Sequence, residues 1–223
     1  MALRRVAIYG GTFDPVHNGH IEVARGVLQL FKLDEVIFVP ACVPPHKRNV
    51  NLTSAFHRFA MLALATETDQ RLLVSTIELD APEQPYAVET VERMRNALGP
   101  ETELFFLMGA DSWLEIRSWH QWRRLLSLCS FIVVTRPGYE FDSALHADMP
   151  ISVVNNFGAG SHQRDIARMH NDTPHALLTD VVQSGVSATR IRVAVQSRDT
   201  AALQIMVPIA VANYIEKYGL YKN

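Results

Sequence analysis

Apolar residues along this chain come in short, almost unbroken runs: RVAIYGG, EVIFVPA, LLVSTIEL, ELFFLMGA, FIVVTRP and ISVVNNF. A run without polar alternation predicts a strand covered on both faces, as in a parallel sheet. Between several of these runs apolar residues recur at helical spacing. Ile21, Ala24, Leu28 and Phe31 form one stripe, and Val88, Val91 and Leu98 a second, with Arg95 off pattern. Phe56, Phe59 and Ala63 form a third. Strand alternating with helix predicts an α/β fold, a Rossmann-like doubly wound parallel sheet with right-handed crossovers.

The last part of the chain has a different texture. Ser187 and Asp199 read as helix N-caps, Pro208 as a first-turn residue, and Gly219 as the stop after VANYIEKY. Residues 138–180 are the least patterned, with scattered Asn, Gly, His and Asp and two short strand-like runs. No repeat and no flexible linker divides the chain. We expect one domain over residues 1–223, an α/β core over 1–185 followed by a small helical part over 186–223.

Composition narrows what such a fold does. With 48% hydrophobic and 20% charged residues in 223, there is ample material for a core. A formal net charge of -2 provides no global basic field for nucleic acid or an anionic membrane, so any phosphate-binding surface must be local. The two cysteines, Cys42 and Cys129, stand far apart without metal or disulfide spacing, which suits a reducing compartment. No apolar stretch nears the ~20 residues of a membrane helix. A cytoplasmic protein with neither nucleic-acid nor membrane partners is expected. Nothing in the sequence signals an oligomeric state.

The richest chemistry follows the first strand, in GGTFDPVHNGH over residues 10–20. Gly10 and Gly11 permit a sharp turn and close approach by a ligand. Pro15 restrains the loop, and a helix begins near Asn18 or Gly19. A helix N-terminus at the carboxyl end of a strand presents free N–H groups and partial positive charge, so an anion is the natural ligand. His17 and His20 lie three apart, and with His20 in the first turn both rings point to one side. Neutral imidazole donates one hydrogen bond, and imidazolium adds charge. Two histidines also occur in metal sites, but no neighbouring Cys, Asp or Glu completes a tidy ligand set, and no protein-held metal is expected. The spacing is neither the dinucleotide fingerprint nor the P-loop.

This stretch resembles the opening motif of the H-x-G-H nucleotidyltransferases, and in its full form that of the bacterial nicotinate-mononucleotide adenylyltransferase family. Further elements resemble the same family in the same order, from residue 6 to residue 221: VPPHK (43–47), MGADSW (108–113), RSWHQW (117–122), TRPGY (135–139), VSATRIR (186–192) and the ending YIEKYGLY. Taken as residues, these have plainer readings as well. His46 and Lys47 make a basic loop. Asp111 suits a ribose hydroxyl or a helix N-cap equally. Trp119 and Trp122, at helical spacing, are core or stacking rings. Arg136 carries a fork suited to phosphate, and Ser187, Thr189 and Arg192 form an anion-ready helix start.

The resemblance implies transfer of the adenylyl group of ATP to nicotinate mononucleotide, with Mg²⁺ accompanying ATP. It assigns His17 and His20 to the ATP phosphates as catalytic residues. Gly10, Gly11, Thr12, Phe13, Gly109, Asp111, Ser187, Thr189 and Arg192 fall to the rest of ATP. Lys47 and Arg136 bind phosphate, Arg136 that of the mononucleotide. Tyr86, Ala87 and Trp119 meet the pyridine ring. One departure stands out: Ala87 occupies a place where the family commonly has threonine. The ending YIEKYGLY is expected only to pack.

Overall fold

A computed structural model describes residues 3–42, 52–81, 85–135, 174–180 and 184–222, together with the backbone of 152–154. Strands β1 (Arg4–Gly11), β2 (Glu35–Pro40), β3 (Leu72–Val74), β4 (Thr102–Gly109), β5 (Ser130–Val134), β6 (Ser152–Val154) and β7 (His175–Thr179) form one sheet. Its order is β3-β2-β1-β4-β5-β7-β6, and each pairing is parallel. The chain winds outward from β1 to β3 and then returns to start β4 on the other side of β1. The reversal leaves a crevice above the carboxyl ends of β1 and β4, where open α/β sheets bind ligands.

The apolar runs are strands because both sheet faces are covered. Along β1, Val6 and Ile8 face one core with Phe106, Met108 and Trp113, while Ala7 faces the other with Phe38, Phe105 and Leu107. The first core is closed by α3 (Ala87–Leu98), α4 (Ala110–Leu114) and α5 (Trp122–Leu128), and the second by α1 (Asn18–Leu30) and α2 (Ala55–Thr66). That second core also contains Ile191, Leu203, Val211 and Ile215, from α6 (Ala188–Gln196), α7 (Thr200–Met206) and α8 (Ile209–Tyr218). The helical C-terminal part therefore shares a core with the sheet. Its caps are as expected: the Ser187 side chain accepts from Arg190 N–H, Asp199 accepts from Ala202 N–H, and Gly219 ends α8 at φ 61°. Pro208 sits one residue earlier than expected, at the N-cap. Among the described residues, no helix is long and apolar enough to cross a membrane.

Two element readings need correction. In α2 the stripe Phe56, Phe59, Ala63 is not the buried one: Phe56 is 74% exposed, and the inward face is Arg58, Met61, Leu62 and Ala65. A buried arginine replaces an apolar residue and shifts the apparent stripe. In LLVSTIEL the strand stops at Val74. There the Ser75 hydroxyl accepts from Ile77 N–H, and Asp80 N–H donates to Thr76 O at 2.8 Å, so local bonds replace the ladder with a turn. Among the described residues of 138–180, strands β6 and β7 match the two short runs seen there, and β7 takes the place between β5 and β6.

Candidate active site

The loop leaving β1 is shaped by close packing. A Cβ on Gly11 would lie 2.8 Å from the Phe13 ring, and one on Gly10 would lie 3.0 Å from the Phe106 ring. The glycines are thus required by aromatic neighbours as well as by any ligand. Helix α1 begins at Asn18, with His17 as N-cap and His20 in its first turn. The two imidazoles stack, 3.7 Å between centroids and 23° apart. Phe13 meets the His20 ring edge-on at 5.0 Å, and Tyr9 does so at 6.0 Å.

The His17 backbone N–H donates to His20 Nδ1 at 3.2 Å. That ring nitrogen is therefore an acceptor, and Nε2 carries the proton of the neutral ring. Burial lowers the pKa of His17 to about 4. Burial, and secondarily the neighbouring His17, keeps that of His20 well below the ordinary histidine value. Near pH 7 both rings are neutral donors, so the added imidazolium charge considered from sequence is absent in the free protein. His17 Nδ1 is buried without a hydrogen-bond partner among the described residues.

Two clefts flank the crevice and share Gly109, the last residue of β4. The first, ≈ 420 Å³, is lined by Tyr9, His17, Gly19, His20, Thr135 and residues 184–188. Gly19 allows this arrangement, since a Cβ there would lie 2.8 Å from Ser184 Oγ and 3.1 Å from His17 Nδ1. The second, ≈ 400 Å³, is lined by Gly10, Gly11, Thr12, Ala41, Glu78, Tyr86, Ala87, Phe106, Trp119 and His120, among others. It contains the start of α3, where Tyr86 is the N-cap and its N–H donates to Glu89.

Residues 8–194 match the family model described as cytidylyltransferase-like. The chain is 37% identical, over 98% of its length and 95% of the relative's, to the probable nicotinate-nucleotide adenylyltransferase of Thermoanaerobacter sp. (strain X514). It is 36% identical, over 99% of its length and 93% of the relative's, to the protein of that name from Mycolicibacterium vanbaalenii. It belongs to this cytidylyltransferase-like family, among the nicotinate-nucleotide adenylyltransferases. The resemblance read from the motifs is therefore correct. The fold also matches that of the Plasmodium falciparum nicotinic acid mononucleotide adenylyltransferase complexed with NaAD, with a TM-score of 0.74 at 20% identity, covering 98% of this chain and 97% of that one.

In this adenylyltransferase, most of the residues singled out from sequence gather at the two clefts. His17, His20, Gly109 and Ser187 line the first, and Gly10, Gly11, Thr12, Tyr86, Ala87, Gly109 and Trp119 the second. Phe13 backs His20 from the core. Asp111 is exposed in α4, whose N-cap is Gly109. Arg192 donates to Asp14 O at 2.8 Å and to Thr189 Oγ1 at 3.2 Å, so it braces the loop ahead of the histidines. Trp119 is not on a helix: it follows a 3₁₀ turn (Ile116–Ser118) in extended backbone. Gln121, at φ 48°, breaks the spacing to Trp122. Trp119 faces the cleft beside Phe106, whereas Trp122 carries the Arg123 guanidinium at 4.2 Å. Lys47, Arg136 and the VPPHK segment lie outside the described residues.

Several residues of this site were given no role at it from the sequence. Arg58, 1% exposed, reaches four carbonyl oxygens around the first loop. Glu78 accepts from the Thr90 hydroxyl at 2.8 Å and from Cys42 N–H at 3.3 Å, and burial raises its pKa. His120 stacks on Tyr86 at 4.3 Å. Tyr221 does more than pack: its hydroxyl donates to Asp14 Oδ1 at 2.7 Å. The only advance signal for Arg58 is a polar residue inside the apolar register of α2.

Proposed function

We infer that this protein transfers the adenylyl group of ATP to nicotinate mononucleotide in the cytoplasm, giving nicotinate adenine dinucleotide and pyrophosphate, a step of NAD biosynthesis. The observation that carries the reading is the pair of clefts meeting at Gly109 over the crevice, one lined by two stacked histidines and the other by Trp119 and the start of α3. Family membership favours the same reaction.

A mononucleotide phosphate oxygen attacks the α-phosphorus of ATP, and the bond to the bridging oxygen of pyrophosphate breaks. The nucleophile is already anionic, so no general base is needed. Catalysis then consists of positioning and of stabilising charge on the α-phosphate and leaving pyrophosphate. His20 Nε2–H is the donor for that charge, and the His17 ring stacks beside it. Ser187, Thr189 and Arg192 adjoin the triphosphate with Lys47, and Asp111 and Gly109 the adenylate ribose. Trp119 stacks on the pyridine ring, whose carboxylate meets backbone N–H groups at Ala87. Arg136 takes the mononucleotide phosphate.

A protonated Nε2 cannot ligate a cation, so His20 suits a phosphate oxygen rather than a metal. Mg²⁺ enters as part of the ATP substrate, held by phosphate oxygens and water.

The direct test is pyrophosphate release from ATP and Mg²⁺ with nicotinate mononucleotide or nicotinamide mononucleotide as acceptor. Release with the acid form is expected, and a carboxylate held by main-chain donors at Ala87 gives preference over the amide. No release with either acceptor, in protein that binds ATP, would refute the reading.

A further inference from the structure

Arg58 lies at the end of the first turn of α2, wholly withdrawn from solvent, and its neighbours are main-chain carbonyls. Nε donates to Thr53 O at 2.9 Å, Nη1 to Thr12 O at 2.7 Å, and Nη2 to Ala41 O at 2.7 Å and Cys42 O at 3.0 Å. One rigid, planar fork thus joins three stretches of chain that share no secondary structure: the loop after β1, the loop after β2 and the lead into α2. Asp14 and Glu78 offset part of the cost of burying the charge. Both also hold main-chain N–H groups of the same stretches, Asp14 that of Thr53 and Glu78 that of Cys42.

The two loops are those that build the site. Thr12 and Ala41 both line the cleft containing Trp119. Thr12 also precedes Phe13, whose ring braces His20. A short path therefore leads from the guanidinium through Thr12 and Phe13 to the imidazole at the phosphate cleft. A second leads through Ala41 to the wall of the acceptor cleft.

We propose that Arg58 is a positioning residue for adenylyl transfer: by clamping the carbonyls of Thr12, Ala41 and Cys42 it fixes the acceptor cleft relative to His20. This rests on the adenylyl-transfer reading above. Arg58 touches neither substrate. Its contribution is to alignment, and it appears in turnover more than in affinity.

The test uses R58K and R58Q in the full chain. Lysine keeps the charge but offers its three donors from one nitrogen, and cannot span four carbonyls. Glutamine removes the buried charge and covers the case in which R58K is unstable. Each variant is assayed for pyrophosphate release well below its unfolding temperature, with native circular dichroism confirmed and ATP binding measured by calorimetry. A displacement of about 1 Å at a reacting centre costs on the order of 10²-fold, so kcat should fall by about that factor while ATP affinity changes little. A folded variant with wild-type kcat overturns the proposal, as does a loss confined to KM or matched by lost ATP binding. Failure of both variants to fold overturns it too, by making Arg58 a residue of stability. The wild-type protein in the same assay separates the two levels: no release there refutes the reaction, whereas turnover in wild type and variants alike refutes only the role of Arg58.

Discussion

On the adenylyl-transfer reading proposed above, His20 meets the developing phosphate charge through one hydrogen bond. Because the His17 N–H occupies Nδ1, the donor toward the cleft is fixed as Nε2 without any proton being taken from solvent. Replacing His20 with alanine should lower kcat by about 10²–10³-fold in a protein that remains folded, as for the loss of an oxyanion donor. Steady-state pyrophosphate release checks this, and an unchanged kcat would remove His20 from the mechanism. The same neutral pair makes stability pH-dependent. His17 has a pKa of about 4 when folded, against about 6.5 unfolded, so the unfolded chain binds more protons between those values. Stability is unaffected above about pH 6.5 and declines as pH falls toward 4, by at most about 1.4 kcal/mol per pH unit for this residue, with His20 adding in the same direction. Urea midpoints between pH 7 and 5 should fall, and His17→Gln should flatten the slope; equal slopes would show that the pair does not titrate this way. The histidines were legible in the sequence because their spacing and glycine setting are distinctive. Arg58 was not, because an arginine in a helix reads as solvent-facing until its carbonyl partners, which are distant in sequence, are known.

At the scale of elements, local pattern succeeded where burial was uniform and failed where polar side chains took structural roles. The runs forming β1, β2 and β4 were readable because helices cover them on both faces. The α2 stripe misled because Arg58 occupies its inward face, and LLVSTIEL because side-chain bonds end β3 early. The junction between α1 and the loop before α6 is also invisible in sequence. It depends on Gly19 facing Ser184, 165 positions away. Gly19→Ala should push the 184–187 loop off α1, raising KM for ATP and destabilising the fold by about 1–3 kcal/mol, the usual range for overpacking. Adding Ser184→Gly should recover part of both effects. If the single variant matches wild type in KM and thermal midpoint, the contact is not tight in solution.

Across the whole molecule, the C-terminal helices act as a brace for the first loop. Asn18 donates to Ile205 O at 2.8 Å, Arg192 to Asp14 O, and Tyr221 to the Asp14 carboxylate. With a core shared between sheet and helices, we expect a single unfolding transition reported alike by tryptophan fluorescence and far-ultraviolet circular dichroism. Tyr221→Phe should lower stability by about 1.5–3 kcal/mol, the usual worth of a hydrogen bond to a charged group, and should keep that transition single. Two separate transitions would mean that the helical part folds on its own. Sequence pattern predicted these helices and their caps but assigned the ending only packing, since a terminal tyrosine gives no hint of which distant acceptor it meets.

The bond from Tyr221 to Asp14 spans 207 positions of the chain, and this orders events during protein synthesis. At roughly 5–20 residues per second, the ribosome adds Tyr221 on the order of ten to forty seconds after Asp14. For that interval the loop ahead of the histidines exists without the hydroxyl that holds it. The motif that announces the enzyme is among the first pieces made and among the last to be fixed in place.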